Sequence, residues 1–305
     1  MRLLQLIELY LYICQVYDEH LAIHVQRHTK NDLAPVFTDQ EVMTSYLFMI
    51  YYEKRRTVKE AHQCLKDHYL DCFPDLTGYK NYNERLNRLA PAFSTLLKLV
   101  VQKWDTSTAQ YPLGKLLLTD SMPIVTCSGK RYGRVAPEMT DRGYNRTKGF
   151  HFWGVKLHAI ARKVDGGLPI PEYLFLRPAS QHDYKAQIEV LQELSANCVV
   201  GDKAFDSKDL EISFQSNGGK LLVGKKKSNA KISGQLKNSR VADHEMFNRA
   251  VSKIRQPIES LFAWFQETSH IQQASKVRST RGLLKHIFGK LAAIVVGRLI
   301  KRNLI

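Results

Sequence analysis

Two short runs of apolar residues along the chain each lead directly into an aspartate. Leu-Leu-Leu-Thr at 116–119 precedes Asp120, and Cys-Val-Val-Gly at 198–201 precedes Asp202. Such short, aliphatic-rich runs predict strands buried on both faces of a sheet. A carboxylate is costly to bury without a partner, so we expect both aspartates to emerge at an edge of the sheet. Glu259 follows on a segment, 255–265, whose apolar residues recur at helical spacing. We expect Pro257 in the first turn of that helix.

The first third of the chain has a helical pattern. Thr38 and Glu41, and again Thr57 and Glu60, have the spacing of a capping box before an apolar-periodic run. Residues 105–114 are polar and small and contain proline and glycine, which is typical of a domain boundary. We therefore predict two domains, a helical domain at 1–109 and a second domain at 110–305.

The second part of the chain alternates between strands and helices. Strands are predicted at 116–121, 152–161, 170–176, 197–202 and 220–223, with 129–149 a polar segment and 224–238 a basic loop. Helices are predicted from Ser180 and Asp183 onward, at 207–215, around Glu259 and at 282–302, where the last helix completes the core or a dimer contact. The order β-β-β-α-β-α-β-α is that of the RNase H-like fold, a mixed sheet flanked by helices. The fold class is thus α/β, preceded by an all-α N-terminal domain.

The net charge of the chain favours nucleic acid as a partner. Lys and Arg total 45 against 29 Asp and Glu, a formal net charge of +16. This excess favours a polyanionic partner, nucleic acid ahead of an acidic membrane surface. The five cysteines include no Cys-x-x-Cys pair, which indicates reduced thiols in the cytoplasm. The apolar N-terminus has the polar stripe of an amphipathic helix, and no apolar segment is long enough to span a bilayer.

A candidate DNA-reading helix lies in the N-terminal part. A turn region at 71–78 is followed by residues 79–89, which mix Asn and basic residues, Arg85 and Arg88 among them, with apolar positions. This arrangement is typical of a helix-turn-helix motif whose second helix enters a groove. An ordinary helical bundle with a solvated basic face explains the pattern equally well. The lysines of the basic loop, Lys225, Lys226 and Lys227, are either solvated or in contact with a polyanion.

The predicted order of elements brings the three acids together. It places the ends of the first and fourth strands side by side, so Asp120 and Asp202 meet although 82 residues separate them, and Glu259 approaches from a helix. Clustered carboxylates repel each other unless a cation neutralises them. Magnesium suits such a site, and two ions about 3.5–4 Å apart assist displacement at a phosphodiester.

Other candidates are given less weight. We expect His158 to be a satisfied core histidine, Asp141 to be ion-paired, and His182 with Asp183 to cap a helix rather than to act in catalysis.

Four stretches of the chain carry a resemblance to a known family. They are Leu-Leu-Thr-Asp-Ser ending at 121, Phe-Trp-Gly-Val-Lys-Leu-His at 152–158, Ala-Ser-Gln-His-Asp at 179–183 and Val-Gly-Asp-Lys-Ala-Phe at 200–205. In these the chain resembles the bacterial insertion-sequence transposases of the DDE type, with an RNase H-like core. Near the third acid Arg255 and Glu259 fit the family pattern, whereas Ser252 and Gln266 replace its Tyr and Lys.

The resemblance implies that residues 1–109 form a helical DNA-binding or dimerisation domain and residues 110–305 an RNase H-like catalytic domain with a basic C-terminal helix. Asp120, Asp202 and Glu259 are the implied catalytic and metal-binding acids, holding two Mg²⁺ ions for which Mn²⁺ substitutes. Lys203 and Arg255 are candidate phosphate contacts, with a surface ion pair as the alternative for each. The implied substrate is double-stranded DNA, both the inverted-repeat ends of an element and the target, and a homodimer would hold two ends together.

Three other functions remain open. An RNase H-like nuclease or resolvase would use the same metals, although the helical N-terminal region argues against it. A DNA-binding protein that has lost catalysis is disfavoured because all three acids are present. A membrane-surface protein is the weakest alternative. If the chain is a transposase, as the resemblance implies, we expect a cytoplasmic, nucleoid-associated protein.

Overall fold

The computed structural model describes residues 2–25, 35–106, 116–130, 132–145, 149–225 and 235–305. The helices of this part of the chain are α1 (Arg2–Val16), α2 (Asp39–Tyr51), α3 (Val58–His68), α4 (Tyr79–Arg88), α5 (Ala90–Thr106), α6 (Asp183–Glu193), α7 (Lys208–Ser216), α8 (Gln235–Ser269), α9 (Thr280–Leu284) and α10 (Lys290–Lys301). The strands are β1 (Leu116–Ser128), β2 (Asp141–Asn145), β3 (Phe150–Arg162), β4 (Ile170–Pro178), β5 (Cys198–Gly201) and β6 (Lys220–Val223). No helix in these described ranges is both long and apolar enough to cross a membrane.

The N-terminal helices begin where the capping pattern predicts. Thr38 accepts a hydrogen bond from the backbone N–H of Glu41, and the Glu41 carboxylate accepts one from the backbone of Thr38 at 2.6 Å. This capping box satisfies two backbone donors at the start of α2. Thr57 likewise accepts from Glu60, but the Glu60 carboxylate accepts from the backbone of Arg56 at 3.0 Å. The second predicted box is therefore only half formed.

The sheet is mixed, and β1 lies in its centre. β1 pairs antiparallel with β3 on one side and parallel with β5 on the other, and β6 extends the sheet in parallel beyond β5. The far side of β3 pairs with β4 along its second half and with β2 at its start. This order and the flanking helices are those of the RNase H-like fold, so the predicted fold class is confirmed.

β2 corrects the prediction that residues 129–149 contain no strand. Its sequence, Asp-Arg-Gly-Tyr-Asn, has no apolar run, because a short strand at the sheet edge has little side-chain surface to bury. Its backbone nevertheless pairs antiparallel with β3, from Asp141 opposite Gly154 to Asn145 opposite Phe150. Gly143 permits a close approach, since a Cβ there would lie 2.6 Å from the carbonyl oxygen of Ala179.

β1 also extends beyond the predicted end at residue 121. It continues through Pro123 to Ser128, although proline usually weakens a strand. Pairing with β5 ends at Leu118, so Pro123 lies where one side of β1 has no partner strand. A missing N–H is tolerated at such a position.

α8 is longer than predicted and corrects two further expectations. It begins at Gln235, so Pro257 lies inside the helix and not in its first turn. A proline there removes one hydrogen bond of the helix and favours a bend. Because α8 begins at Gln235, the loop predicted over 224–238 ends before that residue. Lys226 and Lys227 lie outside the described residues, so their predicted exposure in a loop stays a prediction.

The C-terminal segment was predicted as one basic helix and consists of three pieces. A π-helical turn, Lys285–Gly289, separates α9 from α10. α10 packs against α2 and α5, and its buried residues share one hydrophobic core with the N-terminal helices, β1, β3 and α8. The segment thus completes the core, the first of its two predicted roles. The predicted boundary between two domains falls mainly in residues 107–115, outside the described residues, and stays a prediction.

Candidate active site

The register of the central strands brings Asp120 and Asp202 to the same end of the sheet. Leu116 pairs with Cys198 and Leu118 with Val200 in parallel. Asp120 and Asp202 each lie two residues beyond the last of these pairs. Parallel strands align their carboxyl ends, and this is the usual place for polar groups of a site in such sheets. The structure thus brings together the first two predicted acids.

Arg255 links the third predicted acid to the first. Its guanidinium donates one hydrogen bond to Asp120 Oδ2 and another to Glu259 Oε1 at 2.6 Å. Arg255 and Glu259 lie one turn apart on α8, which contacts β1 and β5. The helix thereby delivers one cation and one carboxylate to the end of β1. Arg255 was predicted to contact a phosphate, and here its guanidinium is paired with the two acids.

The environment of Asp120 opposes its ionisation. Its side chain is 25% exposed. Burial raises the pKa of Asp120 from 3.8 to about 6, and the nearby charges of Asp202 and Asp183 also raise it. The Arg255 guanidinium and a 2.8 Å hydrogen bond from the Ser121 backbone act in the opposite direction and lower the pKa. A raised carboxylate pKa beside other carboxylates marks a place where an added cation is favourable.

Asp183 is a fourth acid near the site, and sequence reasoning assigned it only to a helix cap. Its Oδ1 accepts hydrogen bonds from Ser121 Oγ at 2.9 Å and from Lys156 Nζ at 3.0 Å. The N-cap of α6 is His182, whose Nδ1 accepts from the backbone of Tyr184, so the prediction that His182 caps this helix is confirmed. The prediction that the cap begins at Ser180 is wrong. Lys156 and Asp183 both fall in the stretches that carry the family resemblance, which was the available signal.

Ser180 has a different partner. Its backbone N–H and its hydroxyl both donate to the carboxylate of Asp141, the former at 2.7 Å. Asp141 was expected to be ion-paired. Instead it fixes the turn after β4 against the start of β2.

A buried polar chain lies on β1, β3 and α6 behind these acids. Thr119 donates to the Gln187 side-chain oxygen, and the Gln187 amide nitrogen contacts His158 Nδ1 at 2.9 Å. His158 Nε2 has no hydrogen-bond partner among the described residues. His158 was expected to be fully satisfied and is satisfied at one nitrogen only. Burial lowers the pKa of His158 to about 4, so the ring is neutral at physiological pH.

Two of the residues predicted to contact DNA are exposed, and a third is largely covered by its neighbours. Lys203 and Arg88 are exposed. The Arg85 side chain is 11% exposed, and its guanidinium pairs with Asp39 at 2.6 Å. It also donates to the backbone oxygen of Phe37. The expectation that Arg85 is presented to DNA is corrected by this pairing, which joins α4 to the start of α2.

Lys225 lies at the end of the described segment after β6. Its ammonium is 3.4 Å from Asp206 and 3.7 Å from Glu211. Its backbone N–H donates to the side chain of Asn248 on α8 at 2.8 Å. Lys225 is therefore held in place by acidic and amide partners. Lys226 and Lys227 lie outside the described residues, and their contact with DNA stays a prediction.

The donor set fits a divalent cation in its chemistry. Asp120, Asp202 and Glu259 supply the carboxylate oxygens that Mg²⁺ prefers. The pKa of Asp120 is raised mainly by burial and to a smaller extent by the charges of Asp202 and Asp183, and a cation beside it would oppose both effects. Among the described residues, no three metal-ligating side chains are arranged for a shared ion. In this arrangement the Arg255 guanidinium is the cation between two of the acids.

Sheet order, flanking helices and acids at the ends of β1 and β5 define an RNase H-like protein with the features of a phosphoryl-transfer enzyme. The chain matches the model of the transposase DDE domain over residues 112–296, which is more than half of its length. It belongs to this family and is an insertion-sequence transposase, a DNA-binding enzyme of DNA transposition and recombination. Members of this family generally use divalent metal ions. No curated protein and no solved structure matches the chain.

Proposed function

We propose that this transposase cuts phosphodiester bonds at the inverted-repeat ends of its element and joins the freed 3′ hydroxyl to target DNA. Asp120, Asp202 and Glu259 are the acids that would hold two Mg²⁺ ions, for which Mn²⁺ would substitute. The observation that supports this most strongly is the parallel register of β1 and β5, which aligns Asp120 with Asp202. Bound there, the ions would activate an attacking oxygen and stabilise the leaving one.

The residues around the three acids would neutralise their charge or bind the DNA backbone. Arg255 neutralises Asp120 and Glu259, and a cation at the acids would free its guanidinium for a phosphate oxygen. Lys203 follows Asp202 directly and is exposed, so it is placed to contact the same backbone. Asp183, held by Ser121 and Lys156, adds negative charge beside Asp120.

Further contacts and partners complete the proposal. Arg88 and the lysines at 225–227 are proposed to contact DNA outside the acid cluster, and Arg85 is not. A homodimer is proposed because two ends of one element must be held together during transposition. The proposed location is the nucleoid in the cytoplasm, where the DNA lies.

A strand-transfer assay tests this function. The substrate is an element end already nicked to expose its 3′ hydroxyl, incubated with target plasmid and Mg²⁺. Wild type should produce joined molecules, and Asp202→Asn should not, while its affinity for the end changes little. The exposed turn residue Asp165 provides the matched control, Asp165→Asn, which should join normally. Hydrolysis without joining would favour a nuclease, and joining by Asp202→Asn would contradict the proposal.

A further inference from the structure

A cleft of about 750 Å³ lies between the N-terminal helices and the segment at 273–290. One wall consists of the start of α3 together with α4, and the other consists of the segment that leads into α9 and α10. Its lysines and arginines come from both walls and are Arg55, Arg56, Lys59, Lys276, Arg278, Lys285 and Lys290. We call this feature the basic cleft. It is separate from the acid cluster, and none of the proposed acids lines it.

Two buried lysines, Lys285 and Lys290, lie at the floor of the basic cleft. Lys285 is 5% exposed, and its ammonium lies 5.6 Å from the centre of the Tyr46 ring. No oxygen among the described residues accepts a hydrogen bond from it. An ammonium that is largely removed from water and lacks such a partner is costly. The cation–π contact offsets only part of this cost.

Lys290 adds a second ammonium to the same floor. It is 2% exposed and donates to the backbone oxygen of Ser269 at 2.6 Å. Burial lowers the pKa of Lys285 to about 8. Burial and the charge of Lys285 together lower the pKa of Lys290 to about 7, although the charge of Glu60 raises it. Two like charges therefore repel each other at a buried site, and an anion between the walls would relieve the repulsion.

Two acidic residues line the cleft, and the charge of Glu60 offsets part of the charge of Lys290. The Glu60 carboxylate accepts from the backbone of Arg56 at 3.0 Å, and Asp67 accepts from Gln63 at 2.7 Å. At the mouth, the exposed Lys59 and Lys276 have no hydrogen-bond or ion-pair partner within the described ranges of the chain. A phosphate that enters the cleft thus meets free cations from both walls.

The position of the cleft relative to the acids matches an extended ligand. Gln273 lines the cleft, and the adjacent backbone is tied to Val125 of β1, which donates to Gln272 at 2.8 Å and accepts from Ala274 at 2.9 Å. Val125 is five residues beyond Asp120 on β1. At about 3.4 Å per residue this is roughly 17 Å, the length of about five nucleotides of one DNA strand.

We propose that the basic cleft binds a backbone phosphate of duplex DNA, a few nucleotides from the phosphodiester held at Asp120. The proposal rests on the proposed function, in which the acid cluster acts on DNA. It assigns the buried lysines at 285 and 290 to that phosphate and assigns Lys59 and Lys276 to the mouth of the cleft. The ligand is recognised through its charge, so this contact adds affinity without reading sequence.

The test compares two double variants of equal charge. Lys59→Gln with Lys276→Gln removes one cation from each wall of the cleft. Lys208→Gln with Lys220→Gln removes two exposed cations from α7 and β6, outside the cleft and outside the candidate DNA-reading helix. Affinity for a duplex carrying an element end is measured by fluorescence anisotropy from 50 to 200 mM salt. Neither variant removes a buried side chain, so both should fold, and Lys285→Gln serves as a further cleft variant.

We expect the cleft variant to bind at least about tenfold more weakly than the control, as when a charge-assisted hydrogen bond is lost. The slope of log affinity against log salt should become shallower by about one, the change expected for one phosphate. Equal affinities of the two double variants, or weaker binding with an unchanged slope, would overturn the proposal. Failure of the proposed function is distinguishable, because it would appear as joining that persists in Asp202→Asn or is absent from wild type.

Discussion

Replacement of Asp120 by asparagine should stabilise the protein at neutral pH although it removes a proposed catalytic group. The carboxylate is partly buried at the end of β1, where Asp202 and Asp183 add negative charge and Arg255 offsets it incompletely. Asparagine resembles the protonated carboxyl in shape and carries no charge. Arg255 keeps Glu259 as its partner at 2.6 Å in the variant. The variant therefore loses the cost of the buried charge and retains most of the packing.

The magnitude follows from the pKa. A tenfold change in proton affinity corresponds to about 1.4 kcal/mol, so a pKa raised from 3.8 to about 6 makes the ionised Asp120 cost about 3 kcal/mol of stability. At pH 8 the side chain is ionised in the folded and the unfolded chain, and the full cost applies. As pH falls below about 6 the folded state takes up the proton, and at pH 5 about half of the cost remains. Below about 3.8 both states are protonated, and the advantage of asparagine disappears.

The assay is denaturant unfolding of wild type and Asp120→Asn from pH 8 to pH 5, in EDTA so that no metal ion neutralises the site. The free energy of unfolding of the variant should exceed that of wild type by about 3 kcal/mol at pH 8 and by about half as much at pH 5. Asp165→Asn, which removes an exposed carboxylate paired with Lys163, should change it by less than about 1 kcal/mol. A variant less stable than wild type at pH 8, or a gain independent of pH, would refute the reasoning.

Three further predictions concern the fold and the charge. Arg85→Ala should lower the free energy of unfolding by about 3 kcal/mol, the low end for a broken buried pair, because Tyr17 still donates to Asp39; an effect below 1 kcal/mol in denaturant unfolding would contradict it. Gly154→Ala should cost about 3 kcal/mol or more, because its Cβ would lie 2.0 Å from a backbone oxygen of β1, whereas Gly78→Ala meets no atom within 4 Å; equal melting temperatures would argue against this. DNA affinity of wild type should fall at least a thousandfold between 50 and 200 mM salt, and a flat dependence would remove the argument from net charge.

The elements with strong apolar patterns could be predicted from the sequence. The runs before Asp120 and Asp202 became β1 and β5, and the order of elements specified their parallel pairing. β2 could not be predicted, because its residues are polar and its pairing depends on the backbone of β3. The position of Pro257 within its helix was also predicted wrongly. Proline is common in the first turn of a helix, and only the packing of α8 as a whole shows that the helix begins 22 residues earlier.

The candidate site was predictable as a set of acids but not as a set of contacts. The approach of Arg255 to Asp120 joins residues 135 positions apart, and the pairing of Asp183 with Ser121 joins residues 62 apart. Such contacts depend on how α8 and α6 pack on the sheet, which local spacing does not encode. Arg85 illustrates the same point, because on α4 it resembled a DNA contact and its true partner is Asp39 on α2.

Nicking of DNA that carries the ends of the element tests the central claim, that Asp120, Asp202 and Glu259 form one metal-dependent site. Wild type, Asp120→Asn, Asp202→Asn and Glu259→Gln are compared in Mg²⁺, in Mn²⁺ and in EDTA, with Asp165→Asn as the matched control. The account predicts nicking at the repeat boundary by wild type and the control only when metal is present, and its loss in each of the three acid variants. Nicking that survives in EDTA, or in any of those three variants, would contradict it.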